Sequence, residues 1–189
     1  MLRSVVKAAS VLLAVALAVP AWATTAVERT EADMIKESAM IVTGRCTHLQ
    51  SQWAGKVLVT LATIEVSEVL KGKAGSTVTI ALPGGVDANR RIPIAMNYPA
   101  GPVILQQEKV LLFLTPQQLV AGSYSVVGYS QGKFTLVEDA RGKKVATQSL
   151  SGLKLQGNSG TVRPATGKTI QLDELRAKIR DVEPFERQR

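Results

Sequence analysis

One stretch, VLVTLATIEVSEVLKG at residues 57–72, constrains the fold of this chain more than any other. In its centre apolar and polar side chains alternate, which is the pattern of a β-strand with one buried face. Glu65, Ser67 and Glu68 argue against a membrane span. At ~3.3 Å per residue about fourteen residues of straight strand would measure roughly 45 Å, too long for a small domain, so the strand must coil around the core. The apolar phase changes after Val66, which predicts a β-bulge or a change of sheet.

The first 23 residues have the composition of a signal peptide. Arg3 and Lys7 accompany an apolar run at residues 8–18, and Ala-Trp-Ala at residues 21–23 fits the small-x-small cleavage rule. We therefore expect an exported protein, periplasmic or secreted, whose mature chain begins at Thr24. The alternative is an uncleaved membrane anchor, for which the apolar run is short, and no later segment is apolar enough to cross a bilayer.

The rest of the chain divides by composition into three parts. Residues 24–148 carry the strand patterns and form the predicted β domain, which begins with a loose leader at residues 24–29. Residues 149–168 are rich in Gly, Ser and Thr and are interpreted as a linker. Residues 169–189 are predicted to form a C-terminal helix and a polar tail.

Two short helices flank the predicted strands. Thr30 is a suitable N-cap for a helix over residues 31–38, which carries acidic side chains in its first turn. The second helix is predicted over residues 174–181, where Leu175 and Ile179 lie one turn apart and can dock against the sheet.

Six or seven strands are predicted before the linker. The first, over residues 40–50, contains Gly44, which favours a bend or bulge. Residues 110–114 are apolar throughout and predict a strand buried on both faces. Residues 124–130 and 132–138 predict a β-hairpin. The predicted fold class is mainly β, a small closed or partly closed antiparallel barrel with a short N-terminal helix and a C-terminal helix.

The charge of the chain is basic but dispersed. The formal net charge is +8, and the Lys and Arg residues are scattered over turns instead of forming a polybasic run. This pattern is typical of solvated strand edges that resist aggregation, although an anionic polymer or lipid head group would also fit. Nucleic-acid binding is not favoured, because the few aromatic residues do not interleave with the basic ones.

Cys46 is the single cysteine, so no internal disulfide can form. Its apolar strand pattern predicts a buried, inert thiol. His48 lies two residues further on, which in a regular strand would place both side chains on one face. A Cys–His nucleophile is the resulting alternative, but the chain has no other histidine and no evident orienting partner.

No motif predicts a catalytic, cofactor or metal site. The sequence contains no phosphate-binding glycine loop, no HExxH, no cysteine pair and no calcium loop. The least regular segment, residues 86–103, is predicted to be a long exposed excursion. Because such loops on a rigid scaffold often bind partners, it is the candidate partner-binding loop. Its candidate contact residues are Arg90, Arg91, Ile94 and Tyr98.

Five short segments follow one another along the chain: MIVTGRC (40–46), EVLKG (68–72), TVTI (77–80), VLLFL (110–114) and GKF (132–134). Their order resembles a group of exported bacterial proteins and the netrin-like modules, which include the tissue inhibitors of metalloproteinases. The resemblance covers roughly residues 32–144 and implies a five-stranded OB-type barrel with a helix or two alongside. It does not carry over an inhibitory residue, because those inhibitors chelate the protease zinc with an N-terminal cysteine and here Cys46 stands alone.

Together these features predict a non-catalytic exported binding module of the cell envelope, without a cofactor. Its expected partner is a protein or an anionic envelope polymer. The alternatives are a cysteine-dependent enzyme that uses Cys46 and His48, or a protein that acts like a protease inhibitor.

Overall fold

The computed structural model describes residues 24–182, which form thirteen strands and two helices. The predicted mainly β class with an N-terminal and a C-terminal helix is therefore confirmed. In chain order the elements are β1 Thr24–Val27, α1 Glu31–Glu37, β2 Met40–Ala54, β3 Val57–Lys71, β4 Thr77–Pro83, β5 Gly85–Asp87, β6 Ile94–Met96, β7 Lys109–Pro116, β8 Tyr124–Val126, β9 Lys133–Glu138, β10 Lys144–Thr147, β11 Leu153–Gln156, β12 Val162–Pro164, β13 Thr169–Gln171 and α2 Leu172–Val182.

Eight strands form the main sheet, in the order β13-β10-β9-β7-β2-β3-β4-β8. Because β8 also pairs with β7, the strands β2, β3, β4, β8 and β7 follow one another in a partly closed ring. The pairs in this ring are antiparallel except between β4 and β8, where a single parallel pair joins Ile80 to Tyr124. The strands are thus mostly antiparallel, as predicted, and the sheet that they form closes partly into a ring.

The two faces of this sheet bury separate hydrophobic clusters. The cluster inside the ring, here called the ring core, includes Val42, Cys46, Ile64, Ile80, Val110 and Leu112. The cluster on the other face, here called the helix core, includes Ile35 of α1, Ile41, Leu111, Phe113 and Phe134 of the sheet, and Leu175 and Ile179 of α2. Neighbouring residues of β7 therefore point into different cores, so its predicted burial on both faces is confirmed, as is the docking of α2.

The long pair β2–β3 contains the predicted bulge. Val66 pairs with Gly44 and Glu68 pairs with Thr43, so Ser67 is an extra residue on β3. Val66 packs against the ring core, whereas Leu70 beyond the bulge packs against the helix core. The change of apolar phase along β3 thus moves its side chains from one core to the other.

The predicted leader and linker both contain strands. β1 from the leader pairs in parallel with β11, and β11 pairs with β12, which makes a separate three-stranded sheet. Its small cluster of Leu150, Leu153 and Leu155 is buried. An ion pair between Arg163 and Glu28 joins β12 to the residue after β1. The linker interpretation was wrong for residues 153–164, because β11 pairs with β1 at the start of the chain and β12 pairs with β11.

The predicted hairpin between residues 124–130 and 132–138 was wrong. β8 pairs with the end of β7 at Leu114, whereas β9 pairs with β7 at Val110 to Leu112. Both strands therefore lie end to end along one edge of β7. A tight turn joins them, in which the Gly132 N–H donates to the Val127 carbonyl at 3.0 Å.

The predicted signal peptide at residues 1–23 and the tail beyond residue 182 lie outside the described residues. Within residues 24–182, neither helix has the length and apolar character that a bilayer crossing would need.

Candidate binding surface

The excursion over residues 86–103 begins as a small hairpin that is fixed to the main sheet. β5 and β6 pair antiparallel, with Asp87 opposite Ile94. The Val86 N–H donates to Ser51 Oγ of β2 at 3.1 Å, and Thr60 Oγ1 of β3 donates to the Gly84 carbonyl at 2.9 Å. The hairpin is therefore held by side chains of both long strands, and its position does not depend on loop packing alone.

Gly85 allows this close approach. A Cβ atom at residue 85 would lie 2.6 Å from Ser51 Oγ and 2.7 Å from Thr60 Oγ1, and the φ of Gly85 is +153°. A larger residue would be strained at this φ and would have to displace the Ser51 and Thr60 hydroxyls that hold the hairpin.

A carboxylate of this hairpin organises an indole and a guanidinium. Trp53 Nε1 at the end of β2 donates to Asp87 Oδ2 at 2.7 Å, and Arg90 Nε donates to the same oxygen at 3.0 Å. The guanidinium carbon of Arg90 lies 5.3 Å from the centroid of the Trp53 ring, within cation–π range. The hydrogen bonds from Trp53 and Arg90 lower the pKa of Asp87 below its ordinary value.

The loop between β5 and β6 adds exposed side chains to this group. Ile92 is 78% exposed and Trp53 is 37% exposed, and Arg91 between Arg90 and Ile92 is exposed as well. We call Trp53, Arg90, Arg91 and Ile92 the hairpin-tip surface. Trp and Arg are the residues most enriched at the energetic centres of protein interfaces.

The four predicted contact residues fall in two places. Arg90 and Arg91 lie on the hairpin-tip surface, and Ile94 is half-buried in β6 opposite Asp87. Tyr98 lies beyond β6 and lines a separate cleft. No sequence pattern linked Trp53 to this surface, because it lies at the end of β2, distant in sequence from the hairpin that contacts it. An aromatic residue within a polar stretch was the available signal.

The cleft beside Tyr98, here called the side cleft, has a volume of about 380 Å³. At its base Lys133 Nζ lies 2.5 Å from Glu108 Oε1, and these two side chains are only 13% and 10% exposed. Burial alone would raise the pKa of Glu108, but hydrogen bonds from Lys133, Thr135 and the Leu105 N–H outweigh burial and lower it. The base of the cleft is therefore a largely buried, ionised pair.

The wall of the side cleft is tied to the neighbouring turn. Tyr129 Oη donates to the Pro99 carbonyl at 3.0 Å, and Ser130 Oγ donates to the Ala100 carbonyl at 2.9 Å. Thr24 Oγ1 donates to the same Pro99 carbonyl at 2.8 Å. Burial raises the pKa of Tyr129. Because these hydroxyls hold the backbone at Pro99 and Ala100 in place, this wall of the cleft is formed before any ligand binds.

Cys46 and His48 lie on different sides of β2. Cys46 pairs with Ile64 and His48 pairs with Thr63, so Thr47 is an extra residue on β2. The Cys46 thiol is fully buried in the ring core and burial raises its pKa, whereas His48 is exposed. The predicted buried thiol is confirmed, and the predicted shared face was wrong because of this bulge.

A second groove, of about 800 Å³, lies on the helix side of the sheet. Four of its charges are paired with each other, Arg45 with Glu65 at 2.9 Å and Arg176 with Glu68 at 2.5 Å. The first pair is exposed and the second is partly exposed, so these pairs offer little fixed charge to a ligand. The lining also includes Lys109, Glu138 and Lys144. Over residues 24–182, no group of three or more His, Cys, Asp or Glu side chains is placed to hold a metal ion.

Comparison with protein-family models, curated proteins and solved structures finds no match for this chain. The netrin-like resemblance therefore stays a prediction, and the site is interpreted from its own geometry.

Proposed function

We propose that this chain is a non-catalytic, exported binding module of the cell envelope that holds a partner protein with its hairpin-tip surface. The observation that supports this most is the Trp53–Asp87–Arg90 cluster. It presents a cation-stacked indole at the surface, next to the exposed Ile92. A protein partner suits it better than a polymer, because an isoleucine this exposed gains from burial against apolar groups.

The cluster would bind with little loss of conformational freedom. Asp87 already fixes the orientation of both Trp53 and Arg90, so ordering these side chains costs less on association. Complete burial of Ile92 would contribute about 2 kcal/mol. Arg91 would add electrostatic steering toward an acidic rim on the partner.

We also propose that the five-strand ring is an OB-type barrel of the netrin-like kind. The ring of β2, β3, β4, β8 and β7, with helices packed on one side, supports it. The Cys–His alternative has less support, because Cys46 is buried while His48 is exposed.

The test is a binding comparison between tip variants and a matched surface control. Mature protein is used to capture partners from its own envelope extract, and each captured protein is then purified and titrated. We expect Ile92→Asp and Trp53→Ala to weaken binding about tenfold or more. Leu119→Asp, at a residue that is 52% exposed in the loop between β7 and β8, should bind like the wild type.

Two results would overturn the proposal. One is a purified partner that binds the tip variants as tightly as the wild type. The other is a wild-type protein that binds isolated envelope polymer but no envelope protein.

A further inference from the structure

The side cleft has the chemistry of a second binding site, independent of the hairpin-tip surface. Its lining includes Tyr98, Pro99 and Pro102 of the excursion, together with the exposed Ser149 and Ser151. Its volume of about 380 Å³ falls within the range of small-ligand sites, roughly 300–1,000 Å³. A cleft of this size takes a small molecule or a short piece of a polymer, not a protein domain.

The ion pair of Lys133 with Glu108 at the base of the cleft has no net charge, but Lys133 keeps one hydrogen-bond donor that is not used within the pair. An ammonium group has three N–H donors. Among residues 24–182, Lys133 uses two of them, on Glu108 Oε1 at 2.5 Å and on Thr135 Oγ1 at 2.9 Å. Glu108 accepts from Lys133 and Thr135 with one oxygen, and from the Leu105 N–H at 2.7 Å with the other. A ligand in the cleft therefore meets one available N–H of Lys133 and, on Glu108 Oε2, one remaining acceptor site.

The rim supplies groups that both donate and accept. Ser149 and Ser151 are exposed, and within the described chain neither hydroxyl makes a side-chain hydrogen bond. Ser130 Oγ donates to the Ala100 carbonyl and keeps its acceptor capacity. The lining also contains the apolar rings of Tyr98, Pro99 and Pro102.

We propose that the side cleft binds a neutral, hydroxyl-rich ligand, namely a short stretch of saccharide. Sugar hydroxyls can accept from Lys133 and exchange hydrogen bonds with Ser149 and Ser151, while the apolar face of a pyranose ring packs against Tyr98 or Pro102. An anion is disfavoured, because the carboxylate of Glu108 neutralises Lys133. A wholly apolar ligand is disfavoured too, because it would leave the remaining N–H of Lys133 buried without an acceptor.

The test uses soluble trisaccharides as probes, with amide chemical shifts of the mature protein as the readout. N,N′,N″-Triacetylchitotriose and cellotriose are the neutral probes, and trigalacturonate is the anionic one. Ser151→Trp fills the mouth of the cleft, and Ser159→Trp is the matched control at another exposed serine, outside the cleft. Ser149→Ala combined with Ser151→Ala removes both rim hydroxyls without adding bulk.

We expect at least one neutral probe to shift residues 97–105 and 130–133 and to bind no more weakly than trigalacturonate. Ser151→Trp should weaken that binding about tenfold or more, the double alanine variant should also weaken it, and Ser159→Trp should leave it unchanged. Ile92→Asp should bind the saccharide normally, which separates this site from the hairpin-tip surface.

The proposal is overturned if neither neutral probe causes shifts at the cleft, or if Ser151→Trp binds like the wild type. It is overturned equally if trigalacturonate binds more tightly and loses that binding as salt is added, since that result would identify an anion site.

Discussion

Gly44 of β2 lies so close to Glu65 of β3 that a Cβ atom at residue 44 would lie 2.4 Å from the Glu65 carbonyl oxygen. The same atom would lie 2.6 Å from Cγ2 of Ile64, which is fully buried in the ring core. The contact occurs next to the bulge at Ser67, where the two long strands bend together. A side chain at residue 44 would therefore push apart the two strands that make most of the ring.

Gly44→Ala should lower the free energy of unfolding by about 3 kcal/mol, because the neighbouring backbone must shift to admit the methyl group. Gly75→Ala is the control, since the nearest atom to a Cβ there is the Thr77 carbonyl oxygen at 4.0 Å, and it should change stability by less than about 0.5 kcal/mol. Urea denaturation of the three proteins measures both values. Equal stability of the two variants would contradict the close approach of β2 and β3.

Glu108→Gln should lower the free energy of unfolding by about 3 kcal/mol near neutral pH, because it leaves Lys133 buried without a charged partner. The folded-state pKa of Glu108 is below its ordinary value of 4.5, so its stabilising contribution is complete above that pH. The contribution is lost as the pH falls through the folded-state pKa.

The difference in stability between wild type and Glu108→Gln should accordingly shrink as the pH is lowered from about 5 to about 3. Urea denaturation at several pH values measures this difference. Glu65→Gln, in the exposed pair with Arg45, should cost less than about 1 kcal/mol and serves as the control. A difference for Glu108→Gln that stays constant over this range would mean that the buried pair is not ionised.

The Cys46 thiol should not react with a disulfide reagent such as DTNB in the folded protein at neutral pH. It is fully buried, and burial raises its pKa, so little thiolate is present and the reagent cannot reach it. In denaturant one thiol per chain should react, as the sequence has one cysteine. Fast labelling without denaturant would reopen the Cys–His alternative.

Trp53→Phe should raise the pKa of Asp87 toward its ordinary value of 3.8, because the hydrogen bond from Trp53 is the largest cause of its lowering. An NMR titration of the carboxylate carbons measures this shift. Asp139 is an internal control, since backbone N–H groups of Lys143 and Arg141 lower its pKa and the substitution does not touch them. An unchanged Asp87 titration would show that the indole does not bind this carboxylate in solution.

Features of the fold that depend on local periodicity were predictable from the sequence. The phase change after Val66 predicted the bulge at Ser67, and the unbroken apolar run predicted that β7 would be buried on both faces. The docking of α2 through Leu175 and Ile179 followed from helical spacing in the same way. In each case the pattern lies within one element and records which side of that element is buried.

Features that depend on distant pairing were not predictable. β1 pairs with β11, and no short-range pattern in either segment specifies the other as its partner. The hairpin prediction was wrong for the same reason, because the strand pattern of residues 124–138 does not indicate that β8 and β9 both pair with β7. The contact of Trp53 with Asp87 likewise joins separate turns. The predicted loop therefore identified half of the hairpin-tip surface and omitted the indole.

The closure of the ring has a consequence for its internal motion. β2 and β3 are joined by thirteen residue pairs, whereas β4 and β8 are joined only by Ile80 and Tyr124. Separation of β4 from β8 breaks the fewest hydrogen bonds, so transient opening of the wall should begin there. Solvent would then enter the ring core through this seam, and the amide protons bonded across it would exchange well before those between β2 and β3, while the β8 amides bonded to β7 stay protected.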